Sequence, residues 1–297
     1  MFGTIMIGVA LDARDAFLLD TCVSIVGPLG ARRVVLAHVR RHDRLPAELL
    51  GELEPHPGTD AHTRMHALAD DLRSRVPGLD VIDVYAVGNP SQEILEIAEV
   101  EDVDLLLLGR FSEPGTSADK GVEGRDILRH SACTTLVVPE GRPAAMQCAV
   151  VGVDFSRTAV EALVVAASLY ASVTPVFSYG LAAGIAYGGM THEASRTELE
   201  RIAHEHFRDK VLSQVPGDAS VEPLMVIESE RASDALLQAA AELSADAVVI
   251  GGHGRTRLAA VLLGSTAERI ALRSPVPVLV VRNKAERLGL LGSLVHR

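Results

Sequence analysis

The residues with the clearest chemical potential form a glycine pattern near the C-terminus. Gly251 and Gly254 are followed, after nine residues, by Gly264 and Ser265, and the pattern begins where the apolar run 247–250 ends. Glycine lets backbone N–H groups crowd toward an anion because no Cβ blocks them, and a helix N-terminus adds positive partial charge. The spacing predicts a phosphate-binding loop. The alternative is a plain turn followed by a helix.

The chain that carries this loop repeats itself. Segment 7–12 aligns with 149–154, and segment 104–109 aligns with 246–251, both at an offset of 142 residues. A period of that length is one whole domain, which indicates a tandem duplication. We assign a degenerate copy to residues 1–142 and a copy with the intact motif to residues 143–297.

Each half alternates apolar strands with amphipathic helices. Five strands and four crossover helices predict a doubly wound, Rossmann-like α/β domain with a five-stranded parallel sheet. Hydrophobic residues make up 48% of the chain and aromatic residues 3%, so the core is expected to be aliphatic, as in parallel sheets covered on both faces. The second-half strands are predicted at residues 148–153, 174–178, 221–227, 247–250 and 276–281.

Asp154 ends the first strand of the second half, and Gly251 ends its fourth. Ligands of open parallel sheets bind beyond the carboxyl ends of the strands, where the strand order reverses. If the first and fourth strands are neighbours, the loops after them meet there. A carboxylate would repel phosphates, so Asp154 is expected to face a neutral donor such as an adenine amino group or a ribose hydroxyl. The alternative is a charge that favours the following helix N-terminus.

The second half resembles a universal stress protein domain of the nucleotide-binding type. The resemblance rests on the complete glycine pattern, on Val-Gly-Val-Asp-Phe-Ser at 151–156 and on Ser-Pro-Val-Pro-Val-Leu-Val-Val at 274–281. It covers residues 147–283 strongly and 3–139 more weakly, as in tandem two-domain members. It implies the adenine nucleotide alpha hydrolase-like fold. It also implies ATP, with or without Mg²⁺, as a regulatory ligand in a stress response.

The resemblance also implies a role for each site residue. Asp154 would contact the adenosine part of the nucleotide, and the phosphates would be surrounded by Gly251, Gly254, Gly264 and Ser265.

Three neighbours of the glycines are weaker candidates. Arg255 could pair with a phosphate through its guanidinium fork, or be a solvated surface residue. His253 could hydrogen-bond a phosphate, or only shape the turn. Thr266 could contribute its N–H or hydroxyl at the helix start.

The first half departs from the pattern. Ser112 stands where the second glycine belongs, and eight residues rather than nine lead to Gly121 and Val122. The intervening segment contains two acids and a proline, and bulk and negative charge oppose phosphate binding. Asp12 aligns with Asp154, but alone it means little. We therefore predict that this half does not bind ATP in the same way.

Composition excludes other classes. The net charge is −11 and no basic stripe is present, which argues against a nucleic-acid partner. The chain has three cysteines without a C-x-x-C pair, which is typical of a reduced, cytoplasmic protein. No apolar run approaches the roughly 18 residues of a membrane span. No set of histidines and carboxylates has a compelling metal-ligand spacing.

The function expected is ATP binding rather than fast chemistry, and no catalytic residue is assigned. A nucleotide-free interaction scaffold and a slow ATP hydrolase remain the alternatives. Family members commonly dimerise through the last strand, here 276–281. A tandem chain can pair this edge with 134–138 instead, so we expect an intramolecular pseudo-dimer, with further homodimerisation left open.

Overall fold

The computed structural model describes residues 2–41, 59–110, 120–141, 145–180, 191–217, 219–252 and 263–282. The chain divides into two compact units, Met1–Pro143 and Ala144–Arg297.

The first unit contains five strands and four helices within its described residues. In chain order they are β1 (Thr4–Gly8), α1 (Asp15–Leu29), β2 (Arg33–Arg41), α2 (Thr59–Arg75), β3 (Asp80–Gly88), α3 (Pro90–Val100), β4 (Leu105–Gly109), α4 (Lys120–His130) and β5 (Thr134–Val138).

The second unit repeats this succession. Its second helix, α6, runs on through a π-helical turn at Phe207–Val211 and a 3₁₀ turn at Leu212–Gln214. The elements are β6 (Cys148–Gly152), α5 (Arg157–Leu169), β7 (Ser172–Tyr179), α6 (His192–His206), β8 (Met225–Glu228), α7 (Ala232–Glu242), β9 (Ala247–Gly251), α8 (Ser265–Arg273) and β10 (Val278–Val281).

Both units have the same sheet topology. The strand order is β3-β2-β1-β4-β5 in the first unit and β8-β7-β6-β9-β10 in the second, with parallel neighbours inside each unit. The chain moves outward from the first strand of each unit and then returns to its other side. The order therefore reverses between β1 and β4 and between β6 and β9. The predicted doubly wound α/β fold is confirmed.

The central strands carry the core. Ile5, Met6 and Ile7 of β1 are fully buried, as are Val150 and Val151 of β6. Because helices cover both faces of a parallel sheet, such strands are apolar at every position rather than alternating. Each large side chain buried in this way contributes about 1.5–3 kcal/mol of transfer free energy. This rigid layer fixes the strand ends from which the site loops leave.

The structure corrects the predicted alignment of the two halves. Ile5 pairs with Leu105 in the first unit, and Ala149 pairs with Ala247 in the second. The fourth strands are offset by 142 residues, as predicted, but β1 and β6 are offset by 144. Backbone geometry agrees, because Leu11 and Phe155 both adopt the left-handed conformation, with φ of 58° and 62°.

The corrected register changes the counterpart of Asp154. That residue corresponds to Ala10 in the first unit, and Asp12 corresponds to Ser156. The expectation that Asp12 matches Asp154 is therefore wrong. A shift of two residues keeps every side chain of a strand on the same face, so apolar composition could not reveal the error.

In the first unit a different carboxylate, that of Asp15, is hydrogen-bonded to the loop after β1. Asp15 is 2% exposed, and its two oxygens accept hydrogen bonds from the backbone N–H groups of Ala10 at 2.9 Å and Asp12 at 3.1 Å. Burial raises the pKa of the Asp15 carboxyl, although these amide donors oppose the shift. Asp12 itself pairs with Arg14, whose Nε lies 2.9 Å from its Oδ1.

The raised pKa of Asp15 predicts a pH dependence of stability. Because the folded state holds the proton more tightly than the unfolded chain, stability is lost as pH rises from the ordinary value of about 3.9 through the folded-state pKa. The unfolding free energy of wild type, measured in urea from pH 4 to 7, should therefore fall relative to that of Asp15→Asn. Asp70→Asn, at an exposed aspartate paired with Arg73, is the control. A difference that grows with pH would contradict the prediction.

Candidate functional site

The end of β9 packs directly against the first turn of α5, the helix that follows β6. A Cβ placed on Gly251 would lie 2.8 Å from the carbonyl carbon of Thr158 and 2.9 Å from its carbonyl oxygen. Thr158 belongs to the first turn of α5, four residues after Asp154. Only glycine permits this approach of β9 to the helix, because the opposing atoms are backbone and cannot move aside. The carboxyl ends of the two strands therefore form one crevice, as the topology requires.

Asp154 lies half-buried on one side of this crevice. Its Oδ1 accepts a hydrogen bond from the N–H of Ser156 at 2.9 Å. Ser156 in turn caps α5, because its Oγ accepts from the N–H of Ala159 at 3.3 Å. Asp154 is thus hydrogen-bonded to the N-cap residue of α5, as expected under the alternative that its charge favours the helix N-terminus. This bond uses one carboxylate oxygen of Asp154.

The glycine loop is closed by two backbone hydrogen bonds. The N–H of Gly252 donates to the carbonyl of Val281 at 2.9 Å, which continues the pairing of β9 with β10. The N–H of Gly264 donates to the carbonyl of Gly252 at 3.0 Å. The segment between Gly252 and Gly264 is therefore pinched at its base, and its two ends are held side by side.

The far end of the loop opens a helix. Gly264 is the N-cap of α8, with φ of −64° and ψ of 143°, and has no side chain to accept from the first turn. Ser265 is exposed and Thr266 is half-buried. Within the described part of the chain, no hydrogen bond reaches the N–H groups of these two residues. They and the helix dipole present a positive end to an incoming anion.

No contact among the described residues requires glycine at 264. Its backbone angles suit any residue, and of the described atoms a Cβ there would meet only the carbonyl oxygen of Gly252, at 3.7 Å. Gly251 is different, because packing against Thr158 alone requires it. The two glycines of the motif therefore have separate physical origins.

Three of the predicted site residues lie outside the described residues. His253, Gly254 and Arg255 fall in the segment 253–262. The structure brings Asp154, Gly251, Gly264, Ser265 and Thr266 to the carboxyl edge of the second-unit sheet.

Sequence reasoning missed Arg282. It follows β10 directly, and its side chain lies along the base of the glycine loop, where a Cβ on Gly252 would be 3.1 Å from its Cγ. A basic residue after a strand that ends at the same sheet edge was the available signal.

Aromatic side chains near Asp154 were also missed. Phe155 packs against Phe177 with ring centroids 4.9 Å apart, and against His206 of α6 at 5.9 Å. Tyr179 stacks on Phe177 at 6.4 Å. Burial raises the pKa of Tyr179 above its ordinary value. These rings support the Asp154 loop from the β7 side.

The first unit lacks this construction. Gly109 takes the place of Gly251, but of the described atoms a Cβ there would meet only the Phe17 ring at 3.8 Å and Leu18 at 3.9 Å. Arg110 replaces Gly252, and its N–H donates to the carbonyl of Val138 at 2.7 Å. The backbone hydrogen bond at the strand ends is thus the same in both units, whereas the side chains around it differ.

Two histidines of the first unit take part in ordinary contacts. His62 packs on Tyr85 with ring centroids 4.6 Å apart, and His66 lies 3.1 Å from a carboxylate oxygen of Asp83. Across the described ranges, no group of three His, Cys, Asp or Glu side chains could hold a metal ion. No helix in those ranges is long and apolar enough to cross a membrane.

Comparison with known proteins points to one family. The model of the universal stress protein family matches residues 1–139 and again 146–282. A universal stress protein in the QAH/OAS sulfhydrylase 3′ region of Thermus aquaticus is 32% identical over 90 residues, which cover 30% of this chain. The chain spans 62% of the length of that curated relative.

Solved structures share the fold over the whole chain. A functionally unknown protein from Pseudomonas aeruginosa PAO1 has a TM-score of 0.69 at 20% identity, covering 100% of this chain and 98% of its own. A universal stress protein from Archaeoglobus fulgidus DSM 4304 has a TM-score of 0.64 at 18% identity, covering 94% and 96%. At such identities these structures show the fold alone.

The contact between Gly251 and Thr158 predicts unequal costs for one substitution at equivalent positions. Gly251→Ala should lower the unfolding free energy by about 1–3 kcal/mol, because its methyl group collides with backbone. Gly109→Ala should change it by less than about 1 kcal/mol, because its methyl group meets side chains at ordinary distance. Urea denaturation of both full-length variants measures this. Equal costs would show that the crevice does not depend on the close approach.

Proposed function

The chain belongs to the universal stress protein family, in its tandem two-domain form, and we propose that its second unit binds ATP as a regulatory ligand. The resemblance predicted from the motifs is confirmed at the level of the family. The nucleotide, its site and its regulatory use are the proposal.

The observation that carries the proposal is the start of α8. Gly264 is an N-cap glycine that no described contact requires, at the pinched end of a loop. Among the described residues, no partner takes the backbone N–H groups of the next two residues, which lie at the positive end of the helix. Such a terminus suits a phosphate, whose oxygens accept several hydrogen bonds at once. Ser265 adds an exposed hydroxyl at the same place. These donors would hold the phosphates of ATP.

Asp154 orients the rest of the ligand. A carboxylate beside phosphates would repel them, so the phosphates belong to the glycine side of the crevice and the adenosine to the Asp154 side. One oxygen accepts from Ser156, and a carboxylate has further lone pairs for a ribose hydroxyl or an adenine amino group. If Mg²⁺ accompanies ATP, it would neutralise phosphate charge and take ligands from the phosphates themselves.

A regulatory role follows from linkage. A ligand that binds only the folded state stabilises it by about 2.7 kcal/mol at one hundred times its Kd. Here the ligand would bridge the Asp154 loop and the segment between Gly252 and Gly264. Occupancy would therefore tie the Asp154 loop to the start of α8, and a protein partner could sense the difference between the free and bound forms. Rapid turnover is not part of the proposal, because no catalytic residue is assigned.

The first unit is not expected to bind ATP in this way. Ala10 stands where the second unit has Asp154, and the buried carboxylate of Asp15 already occupies the amides of the loop after β1. The first unit therefore has no carboxylate where Asp154 would face the adenosine, and the amides of this loop already have an acceptor.

One observation favours a second candidate, a nucleotide-free scaffold. Gly251 is required by its packing against Thr158, so one motif glycine would persist without any ligand. Binding measurements separate the two candidates.

Calorimetry with the full chain tests the proposal. Wild type should bind ATP at a single site, and Gly264→Asp should abolish binding. An aspartate at the N-cap accepts the N–H groups of the first turn and repels phosphate, while it leaves α8 as stable as before or more so. Gly217→Asp adds the same charge at a turn with no atom within 4 Å of its Cβ, and should bind ATP normally.

The outcomes of this titration are distinct. No binding to wild type at millimolar ATP would reject the proposal in favour of the scaffold. Two equivalent sites would show that the first unit binds as well.

Asp154 is predicted to affect every adenosine ligand equally. Asp154→Ala should weaken ATP, ADP and adenosine by a similar factor, on the order of 10-fold, because the lost acceptor faces the part they share. Asp154→Asn keeps an oxygen that can accept from Ser156, and so controls for the integrity of the loop. A loss confined to ATP would place Asp154 near the phosphates and contradict the assigned orientation.

A further inference from the structure

We propose that Arg282 supplies a cationic contact to the phosphates in the second unit, and that it sets the preference for ATP over ligands with fewer phosphates. This inference rests on the proposed function, because it concerns the same site.

The position of Arg282 is fixed from two sides. It directly follows Val281, whose carbonyl holds the N–H of Gly252 at 2.9 Å. A Cβ on Gly252 would be 3.1 Å from Cγ of Arg282 and 3.5 Å from its Nε. The side chain therefore passes over Gly252, at the base of the loop that ends at Gly264. The residue is half-buried.

The first unit shows what this arrangement replaces. Gly109 pairs with Val138, and Gly251 pairs with Val281, so Arg110 corresponds to Gly252 and Pro139 corresponds to Arg282. The first unit has its arginine on the loop and a buried proline after the strand. In the second unit the loop position has no side chain, and the arginine comes from the strand end instead.

The two arginines differ in their exposure to water. Arg110 is exposed at the surface of its unit. Arg282 is partly withdrawn from water, where a charge interacts more strongly with an anion than it does in bulk solvent. Its guanidinium can donate two parallel hydrogen bonds to phosphate oxygens. Gly252 is thus a glycine because Arg282 occupies the space beside it, although it is not one of the motif glycines.

The preference for ATP follows from where the charge lies. The N–H groups at the start of α8 are dipoles and favour any phosphate. A full positive charge at the base of the loop gains most from the ligand with the largest negative charge. Adenosine, which has no phosphate, gains nothing from it.

The experiment compares ATP with adenosine by calorimetry on the full chain. Arg282→Gln should weaken ATP binding by about 10- to 100-fold, the size of a charge-assisted hydrogen-bond contact, and leave adenosine binding unchanged. Arg282→Lys keeps the charge without the planar fork and should fall between wild type and Arg282→Gln. Arg208→Gln, at an exposed arginine of the same unit, makes the same charge change and should have no effect.

A double-mutant cycle gives a second readout. Gly252→Ala must displace Arg282 by a few tenths of an ångström and should weaken ATP binding severalfold in wild type. In the Arg282→Gln background, the same substitution should cost much less, because the displaced contact is already gone. Thermal unfolding without ligand shows whether either variant has lost its fold.

The outcomes separate the two proposals. If wild type binds ATP and Arg282→Gln binds it equally well, Arg282 has no such role and the proposed function stands. If Arg282→Gln weakens ATP and adenosine by the same factor, the residue acts through the shape of the crevice and the inference is rejected. If wild type binds no ATP, both proposals fail.

Discussion

The crevice of the second unit depends on one steric constraint, the contact between Gly251 and the backbone of Thr158. It lets the end of β9 lie against the first turn of α5, which in turn fixes the loop that carries Asp154. Neighbouring parallel strands bring their loops to the same edge of a sheet, but the sheet alone does not place the end of β9 against the helix that follows β6. The absence of a Cβ at Gly251 allows this contact, and the remaining features of the site lie around it.

The two halves of the chain show how one topology supports different chemistry at equivalent strand ends. In both, the residue after the fourth strand donates its N–H to the carbonyl at the end of the fifth strand. Around that common frame, the second unit combines Asp154, an uncapped helix start and Arg282. The first unit combines Ala10, the buried carboxylate of Asp15 and the exposed Arg110. The fold is thus preserved by backbone pairing, whereas the local charge is free to change.

The sequence was sufficient to predict the α/β architecture and the position of the glycine motif at the start of α8. Continuous apolar runs such as 105–108 identify buried parallel strands, and the glycine spacing located the start of α8 at Ser265. The register of the first strand was not predictable, because sliding an apolar run by two residues keeps the same face buried. The hydrogen bonds that Asp104 accepts from the N–H of Thr4 and that Asp246 accepts from the N–H of Cys148 fix it, and they are visible only in three dimensions. Arg282 escaped notice for a similar reason, since its relation to Gly252 exists across strands and not along the chain.

The buried Asp15 has a consequence for the history of the chain. Its carboxylate satisfies the amides of Ala10 and Asp12, so its removal alone would leave buried donors without their acceptor and destabilise the first unit. A new aspartate at position 10, introduced while Asp15 remains, would crowd two negative charges into one loop. A return to a nucleotide-type crevice therefore requires coordinated changes, each unfavourable when made first. The buried carboxylate of Asp15 thus acts as a ratchet that holds the loop after β1 in its present form.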